Sequence, residues 1–286
     1  MVRILSFLCI LLLLCTSQPG VLAGPQKENL RAIVSDDFTN ARPPAKKARN
    51  SAGHARKSSR TYHLASKPVN RIGVDPLQIG VTLWKVRRTV HATRDNSRLE
   101  ARFISTRVAA DTIFQDDDLI RISIESPRAG YLYVIDRDWF VDGSTGETNL
   151  IFPVRGDDNR LYAGKLIDIP AEDRKPFKAT PSPNQAGELL TIIVTSSPLW
   201  LPISSGPLAI STDQLLEWSR RWNSLTERFE MDEGPGQLRT LEEQQAALRK
   251  GMRQLTREDP APQTIYFVTP SRSDGLLFNL LLSYAR

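Results

Sequence analysis

Cysteine and histidine are the scarce residues of this chain, and their scarcity removes whole classes of chemistry. Of 286 residues only 2 are cysteine, Cys9 and Cys15, both close to the N-terminus, and 3 are histidine, His54, His63 and His91. A disulfide framework is therefore excluded beyond residue 15, and so is a structural zinc site built on Cys and His ligands. A Ser-His-Asp hydrolase would have to depend on His91, and no nucleophile motif accompanies it. Phosphate-binding glycine loops are missing too: "GSTGE" (143–147) lacks the lysine and the following helix that such a loop needs. No motif implies a cofactor, and the chain reads as non-catalytic.

Long apolar runs are equally rare. Ile4–Leu14 is the longest, and it is shorter than the roughly 20 residues that span a bilayer. It follows a short basic start at Arg3 and precedes Pro19-Gly20 and Val21-Leu22-Ala23, which places small residues where a signal peptidase reads. Residues 1–23 thus predict a signal peptide cleaved before Gly24, and an exported protein, periplasmic or secreted. Lipid attachment at Cys15 is the rival reading, against which Leu14 stands, since that signal takes a small residue before the cysteine. No later stretch is apolar enough to cross a membrane, so the exported part is expected to be a soluble domain whose core holds without disulfides.

Charge is unevenly spread. Residues 24–71 carry 11 Lys or Arg against 3 Asp or Glu, a balance of +8, whereas residues 72–286 carry 26 against 29, a balance of −3. The basic segment, with "ARPPAKKARNSAGHARKSSR" at its centre, is rich in Pro, Ala and Ser and poor in large apolar residues. Such a composition predicts a disordered arm over 24–71, able to contact an anionic surface by charge attraction. Nucleic acid is an improbable partner outside the cytoplasm. An unidentified protein or an envelope polymer suits an exported chain better.

From Ile79 the texture becomes β-like. "LIRISIES" (119–126) alternates, with Ile120, Ile122 and Ile124 on one face and Arg121 and Ser123 on the other, as in a half-buried strand. "YLYVID" (131–136) returns from a turn at Pro127–Gly130, and "TNLIFP", "LIDIP" and "ELLTIIVTSS" continue the series. Short strands separated by turn residues, with no long helices between them, predict an antiparallel β-sandwich, Ig-like or barrel-like, over 72–286. Two helical patterns interrupt it. Ser211 and Gln214 open one as a capping box, followed by an apolar stripe of Leu215, Trp218, Trp222, Leu225 and Phe229. Thr240 and Glu243 open the next, with Leu241, Leu248, Met252 and Leu255 on one face. The pair predicts an αα-hairpin over 211–256 docked on the sheet, with closing strands over 263–286.

The middle of the chain carries an ordered set of motifs: Asp117-Asp118 before an alternating strand, Gly130-Tyr131-Leu132-Tyr133, Leu150-Ile151-Phe152-Pro153, Asn159-Arg160-Leu161 with Ala163-Gly164, Ile169-Pro170, and Gly187-Glu188 before a last strand. In order and spacing this set resembles the bacterial family called domain of unknown function 4384, over residues 113–197. The resemblance implies a β-rich module, often exported or joined to other bacterial domains, and it supplies no catalytic residues. The segment from Asp136 to Thr148 is longer than the family pattern.

Two groups of candidate site residues follow. Asp136, Asp138, Asp142 and Glu147, set around Gly143, offer the hard oxygen donors that calcium takes, in a spacing that fits no standard loop; the plainer reading is a strand end meeting water. Trp139, Trp200, Trp218 and Trp222 are the interaction candidates, because an exposed indole stacks on sugars or anchors a protein interface, although tryptophan more often belongs to a core. Carboxylates beside an exposed tryptophan in one cleft would point instead to a carbohydrate-binding or carbohydrate-active protein.

Overall fold

The computed structural model describes residues 24–45, 77–92, 99–248 and 253–285. The expected signal peptide, residues 1–23, and residues 46–71 of the expected arm, with His54 and His63, lie outside the described residues.

The chain opens with helix α1 (Gly24–Asn40), followed by β1 (Leu77–Ala92), β2 (Leu99–Val108), β3 (Ile113–Phe114), β4 (Leu119–Glu125) and β5 (Gly130–Asp136). It continues through β6 (Asp138–Phe140), β7 (Asn149–Phe152), β8 (Arg160–Leu161), β9 (Ile167–Ile169), β10 (Phe177–Lys178), β11 (Gln185–Thr195) and β12 (Leu208–Ala209). Helix α2 (Thr212–Trp222), β13 (Ser224–Glu230), α3 (Leu241–Ala247), β14 (Thr264–Pro270) and β15 (Gly275–Tyr284) complete it.

These strands form two sheets packed face to face. Sheet A runs β10-β4-β1-β14-β13, with β2 beside β1 and β9 beside β4. Sheet B runs β12-β7-β5-β11-β15-β3, with β6 beside β11 and β8 beside β5. All pairings are antiparallel except β15 with β3. Period-two alternation sends Ile79, Val81, Leu83, Ile120, Ile122 and Ile124 of sheet A against Leu132, Val134, Leu190, Ile192, Phe278 and Leu280 of sheet B, which is the main core. The expected β-sandwich is the fold of the chain.

Three expectations need correction. The first concerns the arm. Its opening residues 24–45 belong to the fold: α1 seats Val34 and Phe38 against Ile265, Phe229, Met231 and Phe267. Gly80 permits this approach, because a Cβ there would lie 2.8 Å from the Phe38 ring and 2.6 Å from Pro262. Arg42 then plugs into sheet A, donating to Glu125 at 2.6 and 3.1 Å and to the carbonyls of Asp259 and Pro260 at 2.9 and 3.1 Å. Composition missed this because one arginine and two apolar residues a helical turn apart do the anchoring.

The second correction replaces the αα-hairpin. Helix α2 stops at Asn223, and Ser224–Glu230 becomes an edge strand paired with β14 from Ser224↔Pro270 to Glu230↔Thr264. Backbone pairing with the waiting β14 edge wins over the helical stripe. Leu225 is 81% exposed, and Phe229 packs edge-on to Phe267, at 5.1 Å between rings, instead of joining Trp218 and Trp222. Helix α3 has 7 residues and does keep its capping box, Thr240 with Glu243. Leu241 is exposed, Leu255 is buried beyond the helix, and Met252 lies outside the described residues.

The third concerns β4, which is buried on both faces. Arg121, Ser123 and Glu125 are as inaccessible as the isoleucines between them. Their face is roofed by residues of the segments 236–248 and 253–263 and by Arg42. Under that roof, the Trp84 indole N–H donates to Ser123 Oγ at 2.7 Å, and Ser123 Oγ donates to Asp168 Oδ1 at 2.6 Å. Arg239 donates to Asp168 at 3.0 Å and to Glu172 at 2.8 Å, Arg121 also reaches Glu172 at 2.8 Å, and Arg107 pairs with Glu243. The guanidinium carbons of Arg107 and Arg239 both lie 5.3 Å from the Trp84 ring centroid. Burial opposes the Arg239 charge, and Asp168, Glu172 and Glu243 overcome it, raising the guanidinium's pKa.

Candidate functional site

The strand β5 carries Leu132 and Val134 into the core and Tyr133 and Ile135 to the outer face of sheet B, so both faces are covered. By the same alternation Asp136 faces inward. On the neighbouring β11, Glu188 shares parity with Leu190, Ile192 and Val194 and faces inward too, opposite Leu282 and Asp138 in the ladders. The acidic end of β5 is therefore not a strand simply meeting water. It turns into the end of the inter-sheet space.

There, Asp136, Glu188 and Tyr284 line a cavity of about 120 Å³ together with Ile122, Phe177, Leu190 and Leu282. Tyr284 donates its hydroxyl to Glu188 Oε1 at 3.0 Å. The Gln185 side-chain amide donates to Glu188 Oε1 and Asp138 Oδ1, each at 2.9 Å. With both carboxyls ionised, Asp136 Oδ1 and Glu188 Oε2 are buried without a donor. One proton held between the two groups satisfies both. Burial, then the Asp136 charge, push the Glu188 carboxyl up to about 8; burial is also the main cause that raises Asp136 to about 6, with the Asp138 charge adding to it. At neutral pH the pair thus shares one proton and carries a single negative charge.

Chemically this is a proton-sharing pair inside a small, mostly apolar space. Its volume lies below the roughly 300–1,000 Å³ of small-molecule sites. The four calcium candidates do not come together. Asp136 and Asp138 belong to this cluster, but Asp142 closes its own turn, accepting from the Ser144 N–H at 2.9 Å and its hydroxyl at 2.6 Å, and Glu147 is exposed. Among the described residues, no group of three or more His, Cys, Asp or Glu is arranged to hold a metal ion.

The four tryptophans separate as well. Trp218 and Trp222 are buried, stacked 6.3 Å apart, and cover Tyr133, Ile135, Ile193 and Leu277 on the outer face of sheet B. Trp139, on β6 opposite Gly187, is half-buried. Trp200 is 97% exposed. Its loop is nonetheless anchored: Leu199, Leu201 and Ile203 pack onto the cluster under α2, and the Leu199 N–H donates to the Tyr133 hydroxyl at 2.7 Å. Alternation in "LWLPI" thus presents one indole to solvent from a fixed base. Trp200 does not line the carboxyl cavity, which lies on the opposite face of sheet B.

Sequence reasoning missed Glu188, Tyr284 and Gln185 as partners of Asp136. The signal was present in parity, since Glu188 and Tyr284 occupy core-facing positions of strands whose other core-facing residues are aliphatic or aromatic. Arg42, Arg121 and Arg239 were missed as interior residues because a lone arginine carries no mark of burial. No model of a known protein family matches the chain, and no curated protein matches it in sequence.

Proposed function

We propose that the chain is a non-catalytic binding module of an exported protein, meeting a protein or polymer of the cell envelope through the Trp200 loop. One observation carries this reading: an indole 97% exposed on a loop held down by three apolar anchors and a hydrogen bond to Tyr133. Isolated exposed tryptophans are costly to solvate, and at interfaces they are the residues that most often dominate binding energy. The anchored loop keeps the ordering cost of binding low.

A carbohydrate-directed reading draws on the Asp136–Glu188 pair, whose unequal acidities resemble those of paired catalytic carboxyls. The cavity is small and Trp200 stands outside it, so the binding reading accounts for more of the molecule. The test is capture from envelope extract and a glycan panel, run with the unaltered chain and with Trp200→Ala. The substitution should leave stability within about 0.5 kcal/mol and abolish retention of the specific partner. Undiminished retention would remove Trp200 from the interface, and release of reducing sugar dependent on Glu188 would favour the carbohydrate reading.

A further inference from the structure

Residues 24–45 are seated on sheet A without being woven into it. Helix α1 satisfies its own backbone and lends no strand to either sheet. Its anchors Val34 and Phe38 join Ile265, Phe229, Met231 and Phe267 in a cluster on the outer face, separate from the core between the sheets. Arg42 follows one turn later. The seat itself is made by residues from Gly80 onward, and residues 46–76 stand in the sequence between its occupant and β1.

The far end of the seat is a socket for a guanidinium. Arg42 Nε donates to Glu125 Oε2 at 3.1 Å, and Nη2 donates to Glu125 Oε1 at 2.6 Å and the Pro260 carbonyl at 3.1 Å. Nη1 donates to the carbonyls of Thr256 at 3.3 Å and Asp259 at 2.9 Å. Each guanidinium N–H thus has an acceptor, and an ammonium, with fewer donors and no planar fork, would leave some of these acceptors unmet. The socket is held in shape without Arg42. Asp259 Oδ2 accepts from the Thr256 N–H at 2.6 Å and its hydroxyl at 2.9 Å, and Arg253 grips the same carboxylate at 2.7 and 2.9 Å. Glu125 is placed by its ladder partner Gly80, the same glycine that leaves room for the Phe38 ring.

A preformed groove that takes two apolar side chains and then a guanidinium is built to read a protein segment. A glycan or a nucleic acid offers no guanidinium. We propose that this seat is a docking site for a partner protein's short helix, with two apolar side chains one turn apart and an arginine just beyond its end, and that residues 24–45 close it as a displaceable plug. Val34, Phe38 and Arg42 display the pattern that the partner must match. Lifting the plug leaves the core between the sheets intact and lets water reach Glu125. Being tethered, the plug competes at an effective concentration of about a millimolar, so it lowers the affinity of any outside segment until it is drawn away. The seat belongs to sheet A and does not depend on the Trp200 loop.

A fluorescent peptide spanning residues 24–45, titrated into the chain from Gly24 onward and followed by anisotropy, tests this. A chain carrying Phe38→Ala with Arg42→Ala should stay folded with its plug undocked. It should bind the peptide about a hundred-fold more tightly than the unaltered chain, where the tethered plug competes. A peptide carrying Arg42→Lys should bind that variant about ten-fold more weakly than the unaltered peptide. In the unaltered chain, the amides of residues 34–42 should exchange with solvent through an opening that leaves β1, β4 and β11 protected. Exchange of those amides only on global unfolding, or loss of cooperative melting in the double variant, would make α1 an integral part of the fold and overturn the proposal. So would absence of peptide binding to the folded variant, or equal binding of the arginine and lysine peptides.

Discussion

Sheet A turns Trp84, Arg121, Ser123 and Glu125 outward, while sheet B turns Tyr133, Ile135, Ile193 and Leu277 outward, and both faces are buried. On sheet B the cover is α2 and the Leu199–Ile203 loop, closed by apolar contact. On sheet A the cover is a mostly irregular segment with one short helix, closed by charge: Arg42 on Glu125, Arg107 on Glu243, Arg121 and Arg239 on Glu172 and Asp168. Apolar contact tolerates adjustment, since one side chain can slide on another. A buried ion pair tolerates little, because each charge has given up its hydration and depends on few partners in one geometry. The polar roof specifies a single arrangement of a segment with little secondary structure to define it, and the apolar roof supplies bulk stabilisation to a helix that is already well formed.

If that contrast is right, the largest effect should come from the polar roof. Arg239→Met keeps much of the volume but removes the nearer cation from Asp168, whose side chain is 1% exposed, leaving it Arg121 at 3.7 Å and the Ser123 hydroxyl. The expected loss is about 3–5 kcal/mol, as for other buried pairs broken from one side. Urea unfolding measures it, and a loss below about 1 kcal/mol would mean that the roof opens to water at little cost. Trp222→Ala breaks the apolar roof. Removing an indole that is 4% exposed should cost about 3 kcal/mol, the lower end for large core truncations, because the Leu199–Ile203 loop can settle into the space.

The two roofs also differ in how far they could be read in the sequence. The α2 cover was legible: Ser211 at the cap and Leu215, Trp218 and Trp222 at helical spacing announce a helix with one buried face. The stripe's continuation through Leu225 and Phe229 misled, because edge pairing with Thr264–Pro270 is a non-local event that no local pattern records. The polar roof was not legible at all. Residues 42, 125, 168, 172, 239 and 243 come from four separate stretches of the sequence, and each resembles an ordinary surface charge until the fold brings them together. The strands were read well because period-two alternation is local. The carboxyl pair fell between these cases: Asp136 was noticed, and its partner Glu188 could be placed only by the β5–β11 register.

That pair gives a third and smaller effect, opposite in sign to the usual carboxylate. Asp136 at about 6 and Glu188 at about 8 lie above their ordinary values of 3.8 and 4.5. Between those limits the native state holds more protons than the unfolded chain, so stability falls as pH rises. It is fully present below the ordinary carboxylate range and is lost as the pH passes about 6 and then 8. Both groups are partly exposed, so solvent screening reduces the expected change to about 2 kcal/mol between pH 5 and pH 9. Glu188→Gln should flatten the profile over that range. A profile unchanged by the substitution would show that other groups set the pH dependence.

The smallest effect sharpens the comparison most, because it repeats the chemistry of the polar roof in a wet place. Arg221, on the outer side of α2, donates to Asp274 from Nε at 3.0 Å and lies with its guanidinium carbon 5.3 Å from the Trp222 ring centroid. Arginine, carboxylate and indole are the elements that Arg239, Asp168 and Trp84 also bring together. The difference is solvent: the side chains of Arg221 and Asp274 are 49% and 35% exposed, those of Arg239 and Asp168 each 1%. Water already solvates the outer pair, so removing one member strands nothing. Arg221→Ala should therefore cost about 0.5 kcal/mol, and the loss should shrink as added salt screens the pair in the unaltered chain. Arg239→Met should show no such salt dependence. Equal costs for the two substitutions would mean that burial is not what separates the roofs, and that the cation–indole contact common to both carries the energy instead.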